Sequence, residues 1–205
     1  MTINEIKIRL DKTISILNNS KILERDSYIM IMTDNSEKFT IVDNNEFLKN
    51  VRISLWKLSI IELHKLFGGK NDDFKISKLL DDISSELKKS EWRNCITENE
   101  INNIKQYLQS PETIEKIANL NDLRNQYYAH TDKKPKKNIY DIKYYYDSSN
   151  YLIQLADNIL EQLMIKLIDK NFKILKYEGE NATNFLEQQS EYIRVLGFHK
   201  LNKQL

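Results

Sequence analysis

Arg124 and His130 lie six residues apart in the segment Leu123-Arg124-Asn125-Gln126-Tyr127-Tyr128-Ala129-His130. One is a permanent cation and the other is the side chain best suited to move protons near neutral pH. At about 100° per residue, a helix over this segment places Ile117, Leu120, Leu123, Tyr127 and Tyr128 on one broad face, with Arg124 near its middle. An unpaired guanidinium turned inward would cost several kcal/mol, so the pattern demands a carboxylate, a subunit interface or a phosphate-bearing ligand. The same projection sets Glu62 inside the stripe of Leu48, Val51, Leu55, Leu58 and Leu66. Two readings follow: a buried Glu62–Arg124 ion pair, or a Glu62 that orients Arg124 toward a ligand.

His130 falls about 9 Å further along the axis than Arg124 and about 120° around it. A site using both requires the helix end to unwind near His130, or two chains to join their motifs across a two-fold interface. At a helix C-terminus the backbone dipole favours the imidazolium, which suits proton transfer.

These residues must be positioned by helices. Only four Gly and two Pro occur, and the stretches between them carry apolar residues three and four apart, which predicts an all-α protein. A first helix is marked by Ile6, Leu10, Ile14 and Leu17, a second runs from Leu48 to Leu66 and stops at Gly68-Gly69, and a third spans Ile76 to Leu87. Thr97 and Glu100 have capping-box spacing and open a fourth. Ser110-Pro111 supplies an N-cap and a proline at the first position of a fifth, which carries the motif. After Thr131 to Asn138 come a long helix from Ile142 to Leu167 and a last one around Phe185, Tyr192 and Leu196. Residues 28–42 could form a hairpin, but helix ends and a loop are the expectation.

At 205 residues the chain is expected to form a single domain with one core. No apolar run approaches the roughly 20 residues of a membrane span, and the start reads as neither a secretory signal nor an anchor, so a soluble cytoplasmic protein is expected. The lone Cys95 agrees with a reducing compartment and reads as structural. A net charge of +1 gives no global attraction for nucleic acid, so a polyanion would have to be held by a local patch.

The segment from Leu123 to His130 resembles the HEPN signature: an Arg followed by a polar residue, then a His four to six residues after the Arg, near the end of a long helix. With the Tyr-Ala-His ending and the layout of long helices, the chain looks most like the abortive-infection type U branch, which acts against phage in bacteria. The likeness covers roughly Phe47 to Leu167. It implies a HEPN-like helical bundle of one domain over 1–205, with a motif-bearing core at about 47–167 and a C-terminal helix at 180–205. It further implies a homodimer whose two motifs face each other in a cleft and cut RNA without a metal or other cofactor. By motif position Arg124 would bind the scissile phosphate, Asn125 would position it, and His130 would act as general acid or base. RNA carries its own nucleophile in the 2′-OH, so a base, an acid and a cation suffice. Asp132 departs from those HEPN toxins that carry a Tyr two residues after the His for modification by a partner, which puts that form of antitoxin control in doubt. Whether an antitoxin or other neutralising partner acts on it stays open, and a membrane is not expected.

The remaining candidates are weaker. Lys133, Lys134, Lys136 and Lys137 follow the His and could hold an RNA backbone, or simply solvate a loop. Tyr127, Tyr128, Tyr140, Tyr144, Tyr145 and Tyr146 could stack bases, but at helical spacing they read as packing, as do Trp56 and Trp92. Asp72-Asp73 and Asp81-Asp82 lack a neighbouring His or Cys in the sequence, so no metal site is expected, and His64 reads as a satisfied structural residue. Arg194 and His199 repeat the bare spacing, but without a polar residue after the Arg and with Gly197 between them. The alternative reading of the whole chain is a non-catalytic helical dimer or RNA-binding adaptor in which Arg124 is merely paired with Glu62.

Overall fold

The capping box at Thr97 forms as its spacing predicts: the Thr97 hydroxyl accepts from the Glu100 backbone N–H, and the Glu100 carboxylate accepts from the Thr97 N–H. A helix opens there because two of its otherwise unpaired first-turn donors are satisfied locally. The same logic recurs along the chain in a computed structural model that describes residues 3–31, 36–69, 72–87, 95–128 and 142–201. Its helices are α1 (Ile3–Ile31), α2 (Ser36–Asp43), α3 (Glu46–Phe67), α4 (Ile76–Leu87), α5 (Glu98–Leu108), α6 (Pro111–Tyr128), α7 (Ile142–Leu167) and α8 (Glu180–Leu201). The protein is all-α, and no strand occurs among the described residues. The segment 28–42 is helical wherever it is described, with α1 ending at Ile31 and α2 beginning at Ser36. No helix among the described residues is long and apolar enough to cross a membrane.

Two compact units can be distinguished, and their boundaries fall inside α1 and α3. The first comprises Met1–Ser20 and Ile60–Leu175. In it α4 packs on α5, α5 on α6 and α6 on α7. Its buried side chains include Leu10 and Leu17 of α1, Leu63 and Leu66 of α3, Leu79 and Ile83 of α4, Ile101 of α5, Leu120 of α6 and Leu160 of α7. Three ion pairs tie its elements together: Arg9 with Asp82, Lys105 with Asp81 at 2.6 Å, and Lys166 with Glu100. The Lys166 ammonium, and after it the Thr97 donors, pull the Glu100 carboxyl down to about 2.

The second unit comprises Lys21–Ser59 and Lys176–Leu205. Here α2 packs on α8, around Met30, Val42, Leu48, Ala182 and Leu186. The buried Asp26 of α1 holds the start of α8: its carboxylate accepts from the Tyr177 hydroxyl at 2.6 Å and from the Ala182 backbone N–H at 3.1 Å. Burial, and then the Asp26 carboxylate beside it, push the Tyr177 hydroxyl up to about 12. Gly179 makes the turn into α8 at φ +92°, where a Cβ would also stand 2.6 Å from Ile29 Cγ1. Only glycine meets both conditions without strain.

Candidate functional site

The fifth expected helix is α6, and its start is fixed by the predicted cap. Ser110 Oγ accepts from the Thr113 backbone N–H at 3.2 Å, and Pro111 occupies the first helical position. Thr113 is buried, with its hydroxyl 3.0 Å from the Tyr151 hydroxyl of α7. Leu120 and Leu123 continue the buried face, while Ile114 is 55% exposed. The helix is therefore anchored at its N-terminal end and along one side, and Arg124 and Asn125 sit on its last turns.

Arg124 does not end in the interior. It is exposed, and its Nη1 donates to the side-chain oxygen of Asn125 at 3.2 Å. Glu62 pairs instead with Lys65, one turn along α3, at 2.5 Å. The inward expectation for Arg124 rested on helical projection, which gives a direction around the axis but not whether another element covers that turn. Near the end of α6 the apolar face of Leu120 and Leu123 is covered, and the turn bearing Arg124 is not. Because the Glu62–Lys65 pair is a partly exposed contact within one helix, Glu62→Ala is expected to cost no more than about 0.5 kcal/mol in denaturant unfolding. A loss of several kcal/mol would restore the buried pair with Arg124.

What stands near Arg124 is His64. The helix α3 stops at Gly68-Gly69, and the His64 ring lies back over that stop: a Cβ on Gly68 would fall 2.2 Å from Nε2. The next segment returns Asp72 to the ring, with its Oδ2 3.8 Å from Nδ1. From α6, the Asn121 side chain hydrogen-bonds the imidazole, and Asn121 lies one turn before Arg124. Burial first, then the Arg124 guanidinium and more weakly Lys75, hold the His64 imidazolium below its ordinary value, against the opposite pull of Asp72 and Asn121. The balance favours the neutral imidazole, and only 14% of its side chain is exposed. Sequence reading missed this cluster because its members come from three separate segments. The one signal was a histidine a single turn before a Gly-Gly stop, followed by an aspartate.

A family model described as AbiU2, of HEPN type, matches residues 4–191, which takes in α1, the His64 turn and the whole of α6. The chain belongs to the AbiU2 family. No curated protein and no solved structure matches it. As a HEPN-family domain, AbiU2 points to a nuclease or abortive-infection role at the level of the family.

In this AbiU2 chain several of the expected site residues lie outside the described residues: His130, the lysines 133, 134, 136 and 137, and Asp132. The side chains of Tyr127, Tyr128, Tyr144, Tyr145 and His199, and residues Trp92 and Tyr140, fall there too. Tyr146 is buried, in keeping with packing, whereas Cys95 is exposed rather than structural in the core. Leu58 is 46% exposed, so the α3 stripe is narrower than its sequence suggests. The acidic pairs have cationic neighbours: Asp73 meets Lys78 at 2.5 Å, Asp81 meets Lys105 and Asp82 meets Arg9. Asp72 has the histidine that the linear sequence did not place beside it. No cluster of three potential metal-ligating side chains occurs among the described residues.

Proposed function

We propose that this AbiU2 protein is a metal-independent endoribonuclease of HEPN type that acts in phage defence by abortive infection, as a toxin-like effector. The observation that carries the reading is the Arg124–Asn125 pair on the last turns of α6, inside the family match: an exposed guanidinium with an amide beside it. An exposed arginine that is not locked into a buried ion pair is available to a phosphate, and its planar fork matches two phosphate oxygens at once.

In this reading Arg124 binds the scissile phosphate and neutralises the charge that develops on it, Asn125 orients it, and His130 transfers a proton. Attack by the 2′-OH yields a cyclic phosphate and a 5′-hydroxyl. Because His130 follows Arg124 by six residues, two copies of the chain supply a composite site across a two-fold interface. Lys133, Lys134, Lys136 and Lys137 steer and hold the RNA backbone, which makes binding salt-sensitive.

The test is cleavage of RNA by the purified protein in EDTA, read by the chemistry of the new ends. Cyclic or 3′-phosphate ends from RNA, no cutting of DNA, and a folded, dimeric but inactive His130→Ala are the expected results. Cleavage that persists in His130→Ala removes the mechanism, and activity abolished by EDTA removes its metal independence. In cells, expression toxicity relieved by His130→Ala is the corresponding outcome.

A further inference from the structure

Arg124 shares its surroundings with an imidazole that the motif does not include. His64 has a carboxylate on one side, Asp72 Oδ2 at 3.8 Å from Nδ1, and a backbone without a side chain on the other, where Gly68 leaves room for the ring. Asn121, which hydrogen-bonds the ring, and Arg124 sit one turn apart on the same side of α6. A histidine with a carboxylate 3.8 Å from one ring nitrogen, within electrostatic reach of a cation suited to phosphate, brings together the groups a general base needs.

We propose that His64, backed by Asp72, is the proton acceptor of the Arg124 site, a catalytic residue contributed by α3 rather than by the motif helix. The inference rests on the ribonuclease reading above and deepens it. The substrate's 2′-hydroxyl takes the place of Asn121 at the ring and gives its proton to the imidazole. The bond from O2′ to phosphorus forms as the bond from phosphorus to O5′ breaks. The departing O5′ takes a proton from His130, so the products are a 2′,3′-cyclic phosphate and a 5′-hydroxyl, with no further reactant. Arg124 has two effects in this scheme. It neutralises the phosphorane, and with burial it keeps His64 in the unprotonated form a base requires.

The charged and polar groups around the ring give the proposal opposite signatures. Asp72 raises the His64 value, while Lys75, from the segment before α4, and Arg124, from α6, lower it. Glu62 and Lys65, on α3 itself, close on each other. If His64 is the base, cleavage falls on the acid side as it protonates. Asp72→Asn then moves that acid limb to lower pH. Lys75→Met moves it to higher pH and leaves the plateau rate unchanged.

The experiment is single-turnover RNA cleavage across pH by the full-length protein, with thermal melting of each variant as a fold control. His64→Gln keeps a side chain able to hydrogen-bond Asn121 but cannot accept a proton, and it is expected to lose at least about 100-fold in rate. The proposal is overturned if His64→Gln cleaves within about threefold of wild type, or if both Asp72→Asn and Lys75→Met leave the limb in place. Should His64→Gln fail to fold, the two limb shifts decide by themselves. A wild type that cleaves, a His130→Ala that does not, and an active His64→Gln overturn this inference while leaving the ribonuclease reading intact. A wild type that cuts no RNA at any pH overturns both.

Discussion

Arg124→Ala is expected to lower RNA cleavage by about a thousandfold, the scale for removing a main donor to a developing oxyanion, while leaving the fold as it was. The second half of that expectation comes from the exposure of Arg124. Among the described residues its hydrogen bond is to the exposed neighbour Asn125, so truncation leaves no buried hydrogen-bond partner unsatisfied. The change in unfolding free energy should stay within about 0.5 kcal/mol. Arg124→Lys separates charge from geometry. An ammonium keeps the positive charge but not the two parallel donors, so it should recover part of the rate and leave a defect of at least tenfold, roughly. Asn125→Ala, which removes an orienting amide but no charge, should lose less than Arg124→Ala. Rates from single-turnover cleavage, set beside melting curves, check all three. Arg124→Ala cleaving at the wild-type rate would sink the site. A variant that loses activity only together with its fold would show a structural arginine, the role a buried pair with Glu62 would give it.

The contrast between those two roles shows where sequence reading works and where it stops. Local signals transferred well. The Thr97–Glu100 box, the Ser110-Pro111 start of α6 and the Gly68-Gly69 stop each involve residues within a few positions of one another, and each forms in the structure. The apolar stripes gave the helices that carry the site. The half of α1 after Leu17 was less legible, because it buries Ser20, Lys21, Glu24, Asp26 and Ser27, which interrupt any apolar stripe. The short α2 was hidden by a polar surround. For the site, projection gives Arg124 only a direction around the axis of α6, whereas coverage depends on which elements reach the last turn, and Arg124 is exposed there. His64 was undervalued for the same reason. Its importance lies in Asp72, Asn121 and Arg124, which are close in space and far apart along the chain, and no periodicity records such a meeting.

Among the stability effects, the largest is expected from Asp26→Ala. This carboxylate is buried in α1 and accepts from three donors of the segment that begins α8: the Tyr177 hydroxyl at 2.6 Å, the Ala182 backbone N–H at 3.1 Å and the Asn181 side-chain amide at 3.4 Å. A negative group at the N-terminus of α8 also opposes the positive end of its backbone dipole. Alanine removes the shared acceptor and leaves the buried Ala182 N–H without one, so unfolding free energy should fall by about 2–3 kcal/mol. Tyr177→Phe is the complementary test. It removes one donor, leaves Asp26 its other two, and should cost about 1 kcal/mol. The double variant should then lose less than the sum of the singles, because the bond between Asp26 and Tyr177 can be lost only once. Additive losses would mean that the two act separately, Asp26 through Ala182 and the Asn181 side chain, and Tyr177 through the Asn181 backbone N–H that its oxygen accepts. The same pair sets an alkaline limit. A hydroxyl held at about 12 in the folded chain, against about 10 when unfolded, contributes stability that is complete below pH 10 and is lost as pH rises through 12. Asp26→Ala should weaken that alkaline dependence, because the carboxylate is one of its causes, and leave the part that burial supplies.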